Sequence, residues 1–333
     1  MRARTIVVTG GAGFIGSNIV ARLAADGRHD VVVCDRLGSA SDAKWRNIAK
    51  HAVSDFWFPE ELFERLNRAP DDIAAVVHMG AVSSTTEEDA DLILRTNFSL
   101  SRDLWDWCAA HDKRLIYASS AATYGAGERG FNDDDDAEST SQLRPLNAYG
   151  YSKLLFDKYA ITQAAKGHAS RQWAGLKFFN VYGPNEGHKG SMKSVVAQIW
   201  PQVAAGETVS LFRSHHPDYP DGGQLRDFVF VDDVVDIVEW LLSAPEVRGV
   251  FNAGSGQARS FADLAKATFA AAGRPAAIAY VDMPEVLRGR YQYFTEARMD
   301  RLRAAGYPGQ STPLEEGVRR YVQDYLMQAD PYR

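Results

Sequence analysis

The sequence predicts an α/β protein with a doubly wound parallel Rossmann sheet and a second, smaller lobe of mixed α/β structure. Short runs rich in Val, Ile and Thr alternate with longer amphipathic stretches through the first half of the chain. A glycine-rich turn follows the first of these runs directly. Such alternation is typical of βαβ units, in which a helix joins each pair of parallel strands.

The strands of this sheet are predicted from their β-branched residues, which fit a pleated and buried surface. The predicted strands cover residues 5–9, 31–35, 73–79, 114–119 and 175–180. Apolar residues at a helical period predict the main helices, over residues 14–25, 89–110 and 149–165.

The regular alternation fades after residue 180, where loops rich in Gly, Pro and His appear at 183–190 and 215–223. Strand-like runs return at 228–231 and 250–253, which suggests that the chain crosses back to the main sheet. We therefore predict a Rossmann domain and a substrate-binding lobe. The domain covers residues 1–178, extended by about 227–258, and the lobe covers 179–226 and 259–333.

Composition argues against several classes of protein. The net charge is −6 and Lys and Arg are interspersed with Asp and Glu, so no basic stripe could follow a nucleic-acid backbone. No apolar run approaches the ~18 residues of a membrane span, and a strand pattern begins too near Met1 for a signal peptide. Cys34 and Cys108 lie in apolar stretches, as buried thiols do in a reducing compartment. We expect a cytoplasmic protein with no nucleic-acid partner, membrane contact, disulfide or metal.

The turn after the first predicted strand contains Gly10, Gly13 and Gly16, and a predicted helix follows it. Glycines allow a tight turn and a close approach to a pyrophosphate, whose charge then lies at the helix N-terminus. Asp35 ends the second predicted strand about 20 residues further on, where an acidic residue contacts a ribose. The pattern therefore predicts a dinucleotide site.

The residues after the second strand bear on the choice of dinucleotide. Asp35 alone would favour NAD, whose ribose carries a free 2′-hydroxyl. Arg36 and Lys44 offer two cations that could hold a 2′-phosphate, so the sequence favours NADP. In the alternative interpretation both cations belong to an ordinary exposed loop.

A tyrosine and a lysine that can share a proton-transfer role lie at the start of a predicted helix. Tyr149 and Lys153 are four residues apart, hence on one helix face. A nearby ammonium lowers the pKa of a phenol, which makes Tyr149 the candidate base. Ser120 ends the preceding predicted strand, where parallel strands gather ligands.

These motifs resemble the extended short-chain dehydrogenase/reductase family of NAD-dependent epimerases and dehydratases. The resemblance implies that the glycine loop cradles the cofactor, Ser120 contacts the substrate hydroxyl, Tyr149 is the catalytic base and Lys153 binds ribose. Within the family, the ADP-glycero-manno-heptose 6-epimerases are the most similar group. The similar segments, within a likeness from about residue 6 to 325, are 82–87, 179–184, 186–192, 226–229 and 289–292.

Further contacts are implied by the resemblance alone. A lysine at the position of Lys189 serves as a second acid or base, although it could instead only neutralise substrate phosphate. Further cofactor contacts are implied at Phe14, Ile15, Met79, Gly80, Ala81, Asn97 and Val181. Substrate contacts are implied at Ser83, Asn180, Ser191, Gln198, Phe212, Arg213, Arg226 and Tyr291.

Some of these residues carry an alternative or depart from the family pattern. Arg226 suits a pyrophosphate because its guanidinium can pair with two oxygens, although it could be a structural hydrogen bonder. Gln198 stands where the family often has a histidine, and the loop at 213–225 looks longer than usual. His215 and His216 lack spaced partners, so we interpret them as exposed loop residues and not as metal ligands.

The resemblance implies an isomerase that inverts C6 of the heptose in ADP-D-glycero-D-manno-heptose. Transient oxidation and re-reduction with tightly bound NADP would give the ADP-L-glycero-D-manno-heptose that supplies the lipopolysaccharide core. It also implies a homo-oligomer, a homopentamer as in the family.

Three other activities share some of these motifs. A UDP-hexose 4-epimerase is the alternative within the same class. A 4,6-dehydratase would show an Asp-Glu pair where residues 121–123 read Ala-Ala-Thr. A catalytically silent NADP sensor would not need Ser120, Tyr149 and Lys153 together.

Overall fold

The computed structural model describes residues 4–288 and 292–333, and over these residues its main sheet has seven strands, all parallel. The strands of the chain are β1 (Arg4–Thr9), β2 (His29–Cys34), β3 (Asp55–Trp57), β4 (Ile73–His78), β5 (Arg114–Ser120), β6 (Trp173–Phe178), β7 (Asn180–Tyr182), β8 (Val209–Phe212), β9 (Leu225–Phe230), β10 (Gly249–Ala253), β11 (Ala258–Ser260) and β12 (Ile278–Val281). The order in the main sheet is β10-β6-β5-β4-β1-β2-β3. The predicted parallel Rossmann sheet is confirmed.

Helices cover both faces of this sheet because its strands are apolar on both sides. Along β1, Ile6 and Val8 pack into one buried cluster and Val7 into another, as the alternation of side chains in a strand requires. The helices are α1 (Phe14–Asp26), α2 (Leu62–Arg68), α3 (Ala90–Leu94), α4 (Leu100–Ala110), α5 (Ala137–Ser141), α6 (Ala148–Ala165), α7 (Val195–Ala205), α8 (Val231–Ser243), α9 (Phe261–Ala271), α10 (Glu285–Arg288), α11 (Asp300–Ala304) and α12 (Leu314–Tyr321). In the described part of the chain, no helix is both long and apolar enough to cross a membrane.

Two smaller sheets form beside the main one. Strands β11, β9 and β7 make a three-stranded sheet, and β12 pairs with β8 in parallel. The strand-like run at 228–231 thus lies mostly in β9, outside the main sheet, whereas the run at 250–253 extends the main sheet as β10. The division of the chain into a Rossmann domain and a lobe stays a prediction.

The helix predicted over residues 89–110 is interrupted. Its ends are α3 and α4, and Arg95–Ser99 between them forms a π-helical turn. Such a turn inserts an extra residue and often re-aims a functional side chain. Here Asn97, fully buried within the turn, exchanges two hydrogen bonds with the backbone of Val82, at 2.8 and 2.9 Å. The interruption therefore connects the helix to the loop after β4.

Candidate active site

A cavity of about 680 Å³ opens at the carboxyl ends of β1, β4, β5 and β6. Parallel sheets bind ligands at this edge, where the loops after the strands gather. The glycine turn, Ser120, Tyr149 and Lys153 all line the cavity. The segment before α7 closes another side of it, with Lys189 on the wall.

The glycine turn leaves space for a ligand only because its glycines lack side chains. Gly10 has φ 64°, and a Cβ there would lie 2.6 Å from the backbone nitrogen of Gly80. A Cβ on Gly16 would lie 2.1 Å from the carbonyl oxygen of Gly10. Gly13 caps α1, whose N-terminus faces the cavity. The turn fits a dinucleotide pyrophosphate, which needs close backbone approach and a helix N-terminus.

Asp35 connects the glycine turn to the loop after β2. One carboxylate oxygen accepts a hydrogen bond from the backbone N–H of Ala12 at 2.9 Å. The other accepts from the backbone N–H of Arg36 and from Nζ of Lys44, both at 2.7 Å. Asp35 and Lys44 line the cavity.

Arg36 lies outside the cavity, unlike its neighbour. Its side chain is 65% exposed and forms an ion pair with Glu60. Of the two predicted cations at the ribose end, the structure therefore places only Lys44 on the cavity wall.

The catalytic candidates are held together where β5 ends and α6 begins. The side chain of Asn147 caps α6 by accepting from the backbone N–H of Gly150 at 2.8 Å. Nζ of Lys153 donates to the carbonyl oxygen of Ala118 on β5 at 2.8 Å. The Ser120 hydroxyl forms a hydrogen bond with the Tyr149 phenol. The three predicted residues therefore converge on one wall of the cavity.

Burial shifts the pKa values of Tyr149 and Lys153, the two ionisable groups of this wall. Burial raises the pKa of Tyr149, and the hydrogen bond with Ser120 opposes the shift. The expected lowering of this pKa by the neighbouring ammonium is not what the structure gives: the pKa is raised, because burial disfavours the charged phenolate. Burial also lowers the pKa of Lys153 to about 8, against the opposing charge of Asp157.

Most of the other predicted cofactor residues also line the cavity. They are Phe14, Ile15, Met79, Gly80, Ala81 and Val181. Asn97 does not line it. Its amide instead holds Val82 and donates to the Ser152 hydroxyl on α6 at 3.1 Å. Asn97 is therefore placed behind the wall, where it connects the loop after β4 to the helix of Tyr149.

Lys189 lies on the cavity wall in a short 3₁₀-helical segment, Gly187–Met192. Its Nζ is 5.2 Å from the ring centroid of Phe14, at the start of α1. Burial lowers its pKa, and the nearby carboxylate of Glu186 opposes the shift. An ammonium with a lowered pKa can exchange a proton more readily near neutral pH.

Of the predicted substrate residues, Ser83 and Asn180 line the cavity, and Tyr291 lies outside the described residues. Ser191, Gln198, Phe212, Arg213 and Arg226 do not line the cavity. Gln198 donates to the carbonyl oxygen of Lys193 at 2.7 Å. It therefore supports a segment that reaches the wall.

The two arginines are also set back from the cavity. Arg213 is about half exposed and lies 3.4 Å from a carboxylate oxygen of Asp282. The guanidinium of Arg226 packs 5.6 Å from the ring centroid of Phe261, which itself lines the cavity. The side chain of Phe261 thus separates Arg226 from the cavity.

Sequence reasoning missed a buried amide network behind the glycine turn. The fully buried Asn47 donates to the carbonyl oxygens of Ala12 and Asn185, at 2.9 and 3.1 Å. It also contacts Nδ1 of His188, which lines the cavity. Burial lowers the pKa of His188 to about 4, so its imidazole is neutral at pH 7. Asn185 has φ 73°, in the left-handed region that asparagine adopts more readily than most residues. The Pro-Asn pair at residues 184–185 was the sequence signal that could have indicated this turn.

A glycine turn at a helix N-terminus, an acidic residue after the second strand and a Tyr–Lys pair beside a strand-end serine define a dinucleotide-dependent redox site. Within that class, the chain belongs to the NAD dependent epimerase/dehydratase family, whose model matches residues 6–254. The enzyme therefore uses a nicotinamide cofactor.

Several individual epimerases are similar to this chain over nearly its full length. The ADP-L-glycero-D-manno-heptose-6-epimerase of Nitratidesulfovibrio vulgaris (strain DP4) is 50% identical over 329 residues, which cover 98% of this chain and 99% of that protein. The crystal structure of the Helicobacter pylori ADP-L-glycero-D-manno-heptose-6-epimerase matches with a TM-score of 0.80 at 28% identity, over 97% of this chain and 96% of that one. The Thermus thermophilus UDP-glucose 4-epimerase, solved with NAD, matches with a TM-score of 0.69 at 27% identity, over 96% and 97% of the two chains.

Proposed function

We propose that this enzyme inverts C6 of the heptose in ADP-D-glycero-D-manno-heptose, to give ADP-L-glycero-D-manno-heptose for the lipopolysaccharide core. The proposal rests on the 50% identity to the Nitratidesulfovibrio vulgaris protein named ADP-L-glycero-D-manno-heptose-6-epimerase, which extends over nearly the full length of both chains. The site supplies the chemistry that such an inversion needs. Ser120, Tyr149 and Lys189 all line the cavity.

The residues divide the work of a transient oxidation. A nicotinamide cofactor held by the glycine turn and Lys153 would supply the redox chemistry, by which C6 would be oxidised and then reduced again on its opposite face. Tyr149 takes the hydroxyl proton while Ser120 hydrogen-bonds the same oxygen. Because the hydroxyl points in opposite directions in the two epimers, a second proton-transfer group is needed. Lys189 fills that role.

The remaining cavity residues bind and orient. The turn at Gly10, Gly13 and Gly16 holds the pyrophosphate of the cofactor, and Lys153 holds its nicotinamide ribose. Ser83 and Asn180 contact the substrate. Gln198 acts on it through the segment that ends at Lys193, and Arg226 acts through Phe261. Ser191, Phe212, Arg213 and Tyr291 complete the set of proposed substrate residues.

We further propose that the cofactor is NADP. Lys44 supports this proposal, because its ammonium lies on the cavity wall beside Asp35 and can pair with a 2′-phosphate. Calorimetric titration of cofactor-depleted protein with NADP and with NAD tests the choice. NADP should bind more tightly, and equal affinities or a preference for NAD would contradict it.

The substrate is tested by a panel of nucleotide sugars with product stereochemistry read by NMR. ADP-D-glycero-D-manno-heptose should be converted to its C6 epimer, and in D₂O the product should carry no deuterium at C6, because the same hydride returns. Inversion at C4 of a UDP-hexose, with the ADP-heptose left unchanged, would favour the 4-epimerase alternative.

Three further proposals concern the whole molecule. The division into a Rossmann domain and a substrate lobe can be tested by limited proteolysis with and without NADP. Light scattering of the purified protein tests the homopentamer, and a monomeric mass would contradict it. Cell fractionation tests the cytoplasmic location.

A further inference from the structure

A fully buried ion pair lies directly behind the catalytic wall. Nζ of Lys177 on β6 is 3.4 Å from a carboxylate oxygen of Asp157 on α6. The two residues are 1% and 0% exposed. Removing two charges from water costs so much that apolar replacements of buried pairs are often neutral or stabilising. Stability alone therefore does not explain this pair.

One arm of the pair holds β5. The carboxylate of Asp157 accepts from the Ser119 hydroxyl at 2.7 Å and from the Tyr117 hydroxyl at 3.1 Å. Ser119 directly precedes Ser120. Asp157 follows Lys153 by four residues and Tyr149 by eight, so it lies on the same face of α6. This arm connects the helix of the candidate base to the strand of its partner.

The other arm holds the turn that follows β5. Nζ of Lys177 donates to the Thr123 hydroxyl at 2.9 Å, and that hydroxyl donates to the carbonyl oxygen of Ser120 at 2.8 Å. The ammonium also lies 4.5 Å from the ring centroid of Tyr124. Thr123 is fully buried, so this chain of hydrogen bonds excludes water.

The two arms meet at Ser119 and Ser120, from the side chain and the backbone respectively. We propose that Asp157, Lys177 and Thr123 are positioning residues, which hold Ser120 in hydrogen-bonding position against Tyr149. The inference rests on the proposed roles of Ser120 and Tyr149. It explains why two charges are retained where an apolar core would suffice. They fix one strand end relative to one helix.

The least disruptive test removes only the hydroxyl link. Thr123→Val keeps the volume of the side chain but cannot donate to Ser120, whereas Thr123→Ser keeps the hydroxyl. Because small misplacements of reacting groups cost up to about 10²-fold, kcat should fall by up to about 10²-fold in Thr123→Val. KM for the ADP-heptose and the affinity for NADP should stay close to wild type. Thr123→Ser should restore most of kcat.

A double-mutant cycle with Ser120→Ala separates positioning from a general loss of structure. If Thr123 acts through Ser120, then Thr123→Val should change kcat by no more than about twofold in the Ser120→Ala background, the usual scatter for independent effects. An equal fall in both backgrounds, or wild-type kcat in Thr123→Val, would overturn the inference. Wild-type kcat in Ser120→Ala would overturn the proposed role of Ser120 itself.

The charges are tested with the paired variant Asp157→Asn/Lys177→Met, which leaves neither charge alone in the core. This double variant should show the same fall in kcat, with KM close to wild type. In the Ser120→Ala background it should change kcat little, as Thr123→Val should. The matched control is Gln172→Met at the opposite end of β6. Gln172 is fully buried and donates to the carbonyl oxygens of Leu241 and Ala244. This control should lower Tm but leave kcat unchanged, and a similar fall in kcat would refute a specific role for the pair.

Discussion

The two sides of the cavity are built differently. On the sheet side, Ser120 ends a strand of the main sheet, and Tyr149 and Lys153 lie in the first turns of an 18-residue helix. On the opposite side, Lys189 lies in a six-residue 3₁₀ segment that is kinked at Gly190, where φ is 57°. The proposed catalytic residues on the sheet side are thus carried by long regular elements, and the proposed proton-transfer group opposite them by a short turn.

The short turn has its own supports. The carboxylate of Glu186 accepts from the backbone N–H and the hydroxyl of Ser194, both at 2.5 Å. Gln198 bonds the backbone between them. The difference teaches that the proposed catalytic residues Ser120, Tyr149 and Lys153 are placed by the sheet edge, whereas the position of Lys189 depends on loop packing. Substitutions on the two sides should therefore both lower kcat if each side carries a proton-transfer group.

The largest effect is expected from Tyr149→Phe on the sheet side. This change removes the proton acceptor but keeps the ring, and general base catalysis is worth roughly 10²–10⁴-fold, so kcat should fall by that factor. NADP affinity, measured by calorimetry, should stay unchanged. Tyr151→Phe is the matched control, because that tyrosine lies on the same helix and is 51% exposed. Wild-type turnover in Tyr149→Phe would overturn the mechanism.

On the opposite side, Lys189→Met should lower kcat strongly while leaving the fold and NADP binding intact. Lys189→Arg sharpens the comparison, because arginine keeps the charge but cannot lose its proton in a protein. Arginine should therefore fail to restore kcat if Lys189 transfers a proton. A near wild-type kcat in Lys189→Arg, with the loss in Lys189→Met confined to KM, would show a phosphate clamp instead.

At the ribose end, Lys44→Ala and Arg36→Ala should differ. Lys44 lies on the cavity wall, whereas Arg36 is exposed and paired with Glu60. Hydrogen bonds to charged groups contribute about 1.5–3 kcal/mol, so Lys44→Ala should weaken NADP binding by about 10-fold or more. Arg36→Ala should change it little. Calorimetry with NAD as the control ligand measures both, and equal losses in the two variants would contradict this placement.

A pH dependence set by Lys153 is also expected. Because burial lowers its pKa to about 8, its ammonium is present below that pH and is lost as the pH rises through it. If the charge supports ionisation of Tyr149 and ribose binding, kcat/KM should fall about tenfold per pH unit above pH 8. A profile of kcat/KM from pH 6 to 10 measures this limb. Lys153→Arg should move this fall in kcat/KM to higher pH. A fall that stays at the same pH in Lys153→Arg would show that another group causes it.

Much of the sheet side was predictable because its signals are local. The glycine spacing, the alternation of strands and helices and the four-residue step from Tyr149 to Lys153 all follow from backbone geometry within a few turns. The structure places these residues on one cavity, as expected. The opposite side was less predictable, since Arg213, Arg226 and Gln198 lie behind or beyond the wall. Similarity of a segment predicts that it is near the substrate, but not which side chains reach it.

The sequence by itself determined the parallel Rossmann sheet, the glycine turn and the pairing of Tyr149 with Lys153 on one helix face, because each depends on spacing between neighbouring residues. Only the tertiary structure decided that Lys44 faces the cavity while Arg36 turns to Glu60. It also decided that Asp157 and Lys177, 20 residues apart and on different elements, form a buried pair behind Ser120. Such pairings depend on which faces of distant elements are packed together, and the local pattern of a chain carries no signal of that.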